Sequence, residues 1–565
     1  MRSDLAQEIR ARYTALLQLR QPHESTWQTL AEYCAIGRQT ALLKTLAGGE
    51  STDKVFDSVA WRAPMDLSNA LASSLTPPAS RWQRVAPRQA DLRADDGAQD
   101  WCDDSSIRLQ DAVNNSSFLS HSGLFYLDWC CFGTAAMLMD SLPARRVLRM
   151  AKNRDGSYAP TGWSTFGGFR WETIPPGTYV LADDHQGNAD TLMRDVQMTP
   201  RQLRQEFPDA TFPDELEAAL RDKPHADVPI LHAVYPRGDS GRAKTRKPWA
   251  SVWLYKDIAL HEDGYDEFPF IVLRWLRGGG PWGIGQGKVA LPDIKTLMTA
   301  ISLRLEEWAL QTRPPIFQRQ NAIRGSLNWT PNGITITQGD PNTVLKVHQS
   351  TARTDLALTQ EERAAQSIKE AFFIDQIRYL PTPKDGKVGG MSEAELGIRQ
   401  AITLQLLGPQ FAQSQPGMKH VVYRGLNIMS RGGALLPLPP SLAARADAEL
   451  DITFESPMAR AQRMGEATAI ERGIMFLGQL FQLRQDPAVW DLVDLDKSAR
   501  NVLEVYGVPA ADINGVDVVD QIRQARAQQQ QAIQQQQEAL AATEGAKNLA
   551  PMVKALQGGP MAEAA

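Results

Sequence analysis

Between Pro292 and Asp375 the residues spell a long helix, a compact strand-rich insert and a second long helix. A helical hairpin of this kind buries little surface by itself, so its apolar stripe has to be covered by something else. The first arm carries Ile294, Leu297, Met298, Ile301, Leu305 and Trp308, steps of three and four that line one helix face. Run from Val289 to Thr312, it spans roughly 36 Å at about 1.5 Å per residue. The second arm opens on Thr359 with Glu362, the pattern of a capping box, and sets Ala364, Ala365, Ile368, Ala371 and Phe372 at helical spacing. Two core helices of an ordinary domain would show the same stripe, so the surroundings decide.

The chain has 565 residues, 43% hydrophobic and 22% charged, the balance of a folded protein of several domains. No apolar run is long enough for a membrane span, and the start, MRSDLAQEIRARYTALL, is a charged helix rather than a secretory leader. Cys34, Cys102, Cys130 and Cys131 are too few and too irregular for a disulfide framework or a zinc site, and are expected as buried thiols. The net charge of −5 argues against an avid nucleic-acid binder, yet suits a protein that lets DNA slide past.

Residues 1–36 read as a helix broken at Pro22 and resuming near Trp27; residues 53–76 and Trp101 to Val113 are also helical. Phe118 to Met139 is an apolar segment interrupted by Gly133. From Ala144 to Trp275 β-branched and aromatic runs predict strands, with Thr199-Pro200 starting a short helix. The insert, Arg313 to Ser350, contains the strand-like runs Ile334–Thr337 and Val344–Val347. Beyond the second arm, Pro381 to Met391 is a loop, Ser392 with Glu395 caps another helix, and Gly408-Pro409 breaks or bends it. Helices follow near Met458 to Arg484 and Lys497 to Tyr506. The Gln-rich stretch from Val516 to Thr543 is either a disordered tail or a helix that packs against copies of itself.

Catalytic patterns fail on inspection. Gly278 to Lys288 follows a strand and precedes a helix, the context of a phosphate-binding loop. The nucleotide pattern, however, finds Trp282 where it needs glycine and Val289 where it needs Ser or Thr. A flexible junction, letting the arm leave the sheet at its own angle, fits better. The eight histidines lack metal-ligand spacing, and the pairs Asp95-Asp96 and Asp183-Asp184 sit in turn-like stretches. No catalytic residue, metal ligand or cofactor is expected.

Three ordered passages carry a resemblance. They are Val55-Phe56-Asp57-Ser58 with Leu71 to Pro78 and Arg81-Trp82; Asn115 to Phe118 with Cys131 to Ala135; and Phe454 to Gln462 with Gly507-Val508-Pro509. Together with the Gly-rich junction and Leu291-Pro292-Asp293-Ile294, they resemble the head-to-tail connecting (portal) proteins of short-tailed bacteriophages. The likeness runs in order from about residue 10 to residue 510. It implies an α+β portal-like fold: a mixed α/β wing, a long-helix stem, a small strand-rich clip and an α-helical crown with a C-terminal helix. Mapped onto this chain, the wing is 1–288, the stem helices 289–312 and 355–380, and the clip 313–354. The channel loop is 381–391, further wing helices 392–455, the crown 456–512, a barrel-like helix 513–545 and a disordered tail 546–565.

The implied function is structural: a ring, typically a dodecamer, at one capsid vertex, through which double-stranded DNA is packaged and ejected. Its implied partners are further copies of itself, the major capsid protein, the terminase, and tail adaptor and nozzle proteins, with no membrane. The implied location is the virion, after assembly in the host cytoplasm. Lys384 and Lys387 become candidate channel-loop contacts to DNA; Arg319, Arg324 and Trp329 become candidate clip contacts to terminase or tail. Residues 289–312 carry two cations against three acids and residues 355–375 two against five, so repeated arms would make an acidic wall. The rival functions are a nucleotide-dependent packaging enzyme using Gly278–Lys288, or another ring component such as a tail adaptor.

Overall fold

The computed structural model describes residues 2–43, 49, 51–89, 91–142, 147–152, 158–240, 247–312, 316–318, 345–347, 354–375, 393–445, 449–454, 457–484, 492–505, 518–519, 521–531 and 533. It is an α+β fold whose chain divides into two units, residues 1–459 and 460–565. Helices α1 (Arg2–Tyr33), α2 (Val59–Leu75), α3 (Asp96–Asn114) and α4 (Phe118–Phe132) precede most of the strands. Strands β1 (Gln83–Pro87) and β2 (Thr134–Ser141) are followed by β3 (Val147–Lys152), β4 (Tyr158–Ser164), β5 (Phe169–Ile174), β6 (Tyr179–Asp183) and β7 (Ala189–Met198). Then come β8 (Val228–Pro236), β9 (Trp249–Tyr255), β10 (Ile258–Tyr265) and β11 (Phe270–Arg274).

An antiparallel sheet of order β10-β9-β8-β7-β6 shows why alternation matters. Leu231, Ala233 and Tyr235 of β8 face one side and pack with Leu5, Ala6 and Ile9 of α1. Ile230, one residue out of phase, joins Leu203, Phe207 and Leu216 from the short helices Pro200–Glu206 and Asp214–Asp222 on the other side. The first of these starts as expected, with a Thr199 capping box completed by Gln202. His232 is wholly buried, stacked on Trp253 at 4.0 Å and bonded to Arg194 and Ser251. Burial holds its basicity well below the usual histidine range, so it is a neutral core residue.

The main core lies around a second sheet, β11-β2-β5. Trp129, Tyr126 and Phe125 of α4 fill it, and all four cysteines are buried free thiols. Arg38 grips the buried Asp128 with two bonds, of 2.9 and 2.6 Å, yet burial still pushes that carboxyl up to about 6. Helix α5 (Gln286–Thr312) is the first long arm, and a two-stranded ladder, β12 (Ile316–Gln318) with β13 (Leu345–Val347), lies in the insert. The second arm is α6 (Thr354–Ala371), and α7 (Glu393–Arg431) returns to the core. There Arg424 Nε donates to the Met139 carbonyl at 3.0 Å and Nη1 to the Glu267 carbonyl at 3.0 Å, tying α7 to β2. Strand β14 (Leu450–Phe454) pairs with β1 and closes the first unit. Helix α8 (Pro457–Arg484) crosses into the second unit, where α9 (Leu495–Val505) carries Asp496, paired with Arg523 at 2.6 Å. The described residues between 518 and 533 are helical.

Several local expectations are corrected. Pro22 does not break α1: the helix runs through it because Arg20, Trp27 and Leu30 are buried on either side. Gly408-Pro409 does not break α7, which continues through it. The second arm starts at Thr354, so Thr359 sits within α6 and does not cap it. Ser392 and the run Ile334–Thr337 lie outside the described residues.

The largest correction concerns the glycine-rich junction. Gly133 ends α4 at φ +89°, a left-handed conformation. Its carbonyl accepts from Trp275 N at 2.9 Å, and the Thr134 hydroxyl accepts from Gly283 N at 2.7 Å. A Cβ on Gly285 would meet the Cys131 carbonyl oxygen and the Gly133 nitrogen at 2.5 Å, and one on Gly287 the same Cys131 oxygen at 2.5 Å. These glycines serve backbone-on-backbone contact, not flexibility, and they clasp the start of α5 to the end of α4. Gly133→Ala is therefore expected to destabilise the protein by about 3 kcal/mol, from backbone strain plus overpacking. Gly279→Ala, where a Cβ meets open space, should change stability by less than about 0.5 kcal/mol. Thermal or denaturant unfolding of the two variants checks the contrast.

Candidate functional site: the paired arms

Helices α5 and α6 pack against each other, and their roots also touch α4 and α2. On α5, Ile294, Leu297, Met298 and Ile301 are buried; on α6, Ala364, Ile368 and Phe372 meet the same core. Four of the six residues in the expected stripe are therefore covered within the chain. The remaining two, Leu305 and Trp308, are not.

The boundary is marked by an ion pair. Arg304 Nε donates to Glu361 Oε1 at 2.7 Å, with both side chains largely shielded, and the guanidinium lies 5.0 Å from the centre of the Trp308 ring. From that level outward the surface changes character. Leu303 is 59% exposed, Trp308 51% and Leu358 47%, with Leu305 and Leu310 also open. Leu303 and Leu310 stand seven residues apart, a second stripe on α5 that the first masks. That spacing was the missed signal.

Charge follows the same division. Once Arg304 and Glu361 are set aside as a pair, residues 289–312 and 355–375 keep three cations (Lys295, Arg363, Lys369) against seven acids. Each arm pair thus offers a naked apolar tip and a net negative surface. Lys384, Lys387, Arg319, Arg324 and Trp329 lie outside the described residues. Among the described residues no helix is long and apolar enough to cross a membrane, and no cluster of His, Cys, Asp and Glu could hold a metal ion. In the Gly278–Lys288 segment, with its phosphate-loop context, Gly283, Gly285 and Gly287 are taken up by the clasp to Cys131 and Gly133.

A profile of the bacteriophage head to tail connecting protein family matches residues 6–513. The chain belongs to that family. It is 27% identical over 512 residues to the portal protein of Salmonella phage epsilon15, covering 88% of this chain and 86% of the relative. It is 24% identical over 540 residues to the probable portal protein of Bordetella phage BPP-1, covering 93% and 92%. The matched range includes the arms, the clasp and the sheets. As a head to tail connecting protein the chain is a structural component.

Proposed function

We infer that the chain is the subunit of a phage portal, a ring at the head–tail junction that conducts double-stranded DNA during packaging and ejection. The observation that carries this reading is the division of the arms: a root buried in its own chain and a tip left uncovered. In a ring, the apolar tip of one copy is covered by the arms of the next, while the acidic residues face the lumen and keep phosphate from sticking. We assign residues 289–312 and 355–380 to the stem, 313–354 to the clip, 381–391 to the channel loop and 456–512 to the crown. The ring is a dodecamer seated among major capsid proteins, meeting the terminase first and tail adaptor and nozzle proteins later. Arg319, Arg324 and Trp329 serve that docking from the clip. Assembly takes place in the host cytoplasm. The packaging enzyme is the weaker alternative, because the clasp uses the glycines that a nucleotide would need.

Covering two such apolar side chains contributes about 3 kcal/mol per interface. Leu303→Glu combined with Trp308→Glu should therefore raise the concentration at which half the protein is assembled by about 100-fold or more. Mass measurement across a dilution series reads this directly; a wild-type protein that stays monomeric at all concentrations contradicts the ring.

The channel loop gives a separate expectation. Alanine at both Lys384 and Lys387 should leave the ring intact while altering DNA packaging or retention, as counted by packaged genome length. Unchanged packaging rejects a role for those two lysines.

A further inference from the structure

A cleft of about 900 Å³ opens beside the sheets, with Arg194 of β7 and Arg424 of α7 both in its wall. They are the most deeply covered cations there, 3% and 2% exposed. A buried guanidinium needs acceptors for its five N–H groups. Arg194 Nε donates to His232 Nδ1 at 3.2 Å and Nη1 to Glu172 Oε1 at 2.8 Å. Arg424 Nε donates to the Met139 carbonyl at 3.0 Å, and Nη1 to the Glu267 carbonyl and carboxylate at 3.0 and 3.2 Å. Among the described residues neither Nη2 has an acceptor. The other cations of the wall are answered: Arg170 by Glu206, Arg431 by Asp266 and Glu267, and Lys247 by Asp263.

Strand register sets how far apart the two spare donors stand. Phe270, Leu138 and Glu172 form one row across β11, β2 and β5. Arg194 lies over that row, held by Glu172, with its Cζ 5.9 Å from the centre of the Phe270 ring. Two residues along β2, on the same face, Asp140 accepts from the Tyr265 hydroxyl at 3.3 Å, and Arg424 lies 5.3 Å from the centre of that tyrosine ring. Two residues of strand span about 7 Å. A carboxylate turns one oxygen to each side and takes its donors from about 2.8 Å away, so it fits a gap of that size. Burial, then Asp140, raise the Tyr265 hydroxyl above its usual range, while Arg424 and Arg194 both pull it down, so the two guanidiniums act on one point.

We propose that Arg194 and Arg424 bind one carboxylate group in this cleft through their Nη2 donors. Charge sets the class of ligand. Five Arg and Lys in the wall stand against five Asp and Glu, which leaves no surplus for a polyanion such as nucleic acid. A neutral amide would forgo the charge assistance that strengthens such bonds. The carboxylate has two sources, a free small acid or an acidic side chain of a second copy, and both present the same two oxygens. No wall residue belongs to the arms, so the site stands apart from conduction through a channel.

Electron microscopy of the wild-type particle in acetate and again in chloride, at a resolution that shows ordered water, tests the proposal. Density joining the two Nη2 atoms in acetate but not in chloride assigns a free acid. Density continuous with an Asp or Glu of a second copy, in both salts, assigns a side chain. Water alone at both nitrogens in both salts overturns the proposal. For a free acid, acetate should raise the thermal unfolding midpoint saturably, and acetamide at the same ionic strength should need about tenfold more for the same shift. The Arg424→Lys variant keeps the charge without the Nη2 donor and should likewise need about tenfold more acetate. A saturable acetamide response as strong as that of acetate also overturns the proposal, and this comparison uses the wild-type protein alone.

Discussion

Backbone meeting backbone between residues 131–133 and 283–287 is the contact on which the arms depend. A long helix is a lever, and a small error of direction at its root becomes a large displacement at its tip. Three glycines, at 283, 285 and 287, let the first turn of α5 sit directly on the carbonyls that end α4, where no side chain could intervene. Trp282, buried against Trp27 at 4.8 Å and Tyr179 at 5.6 Å, anchors the segment just before it. The arm therefore leaves the body with a direction fixed by close packing, which is what subunits must share if identical copies are to meet in register.

From that root outward, the arms pass from a satisfied state to an unsatisfied one. Ile294, Leu297, Met298 and Ile301 are covered by the chain's own core, the Arg304–Glu361 pair marks the transition, and Leu303 beside it with Leu305, Trp308 and Leu310 beyond it are exposed. Breaking that pair would leave a shielded charge without a partner, so it also holds the two arms in one relative register. The arms are also acidic on balance.

The periodic elements were legible. The stripe on α5, the strands between Ala144 and Trp275, and the short helix after Thr199 follow from spacing and capping chemistry alone. What failed was local punctuation read without its surroundings. Pro22 looks like a break, yet tertiary packing on either side carries α1 through it, and α7 runs on through Pro409. The glycines at 283–287 look like slack because the backbone they touch is about 150 residues earlier in the chain. Thr359 and Glu362 match a capping box by spacing, but the helix had already begun at Thr354. For the candidate site, the exposed tips were half legible: Leu305 and Trp308 stood in the expected stripe, whereas Leu303 and Leu310 required a count of seven that the stronger pattern obscured.

The central claim is that the uncovered tips of α5 and α6 are covered by the same helices of a neighbouring copy. End-on imaging of the purified particle tests it most directly. A closed annulus, its wall built of paired rods around a hole wide enough for a duplex, is the expected result. Single subunits, or an assembly whose rods stand apart with Leu303 and Trp308 open to water, would contradict it.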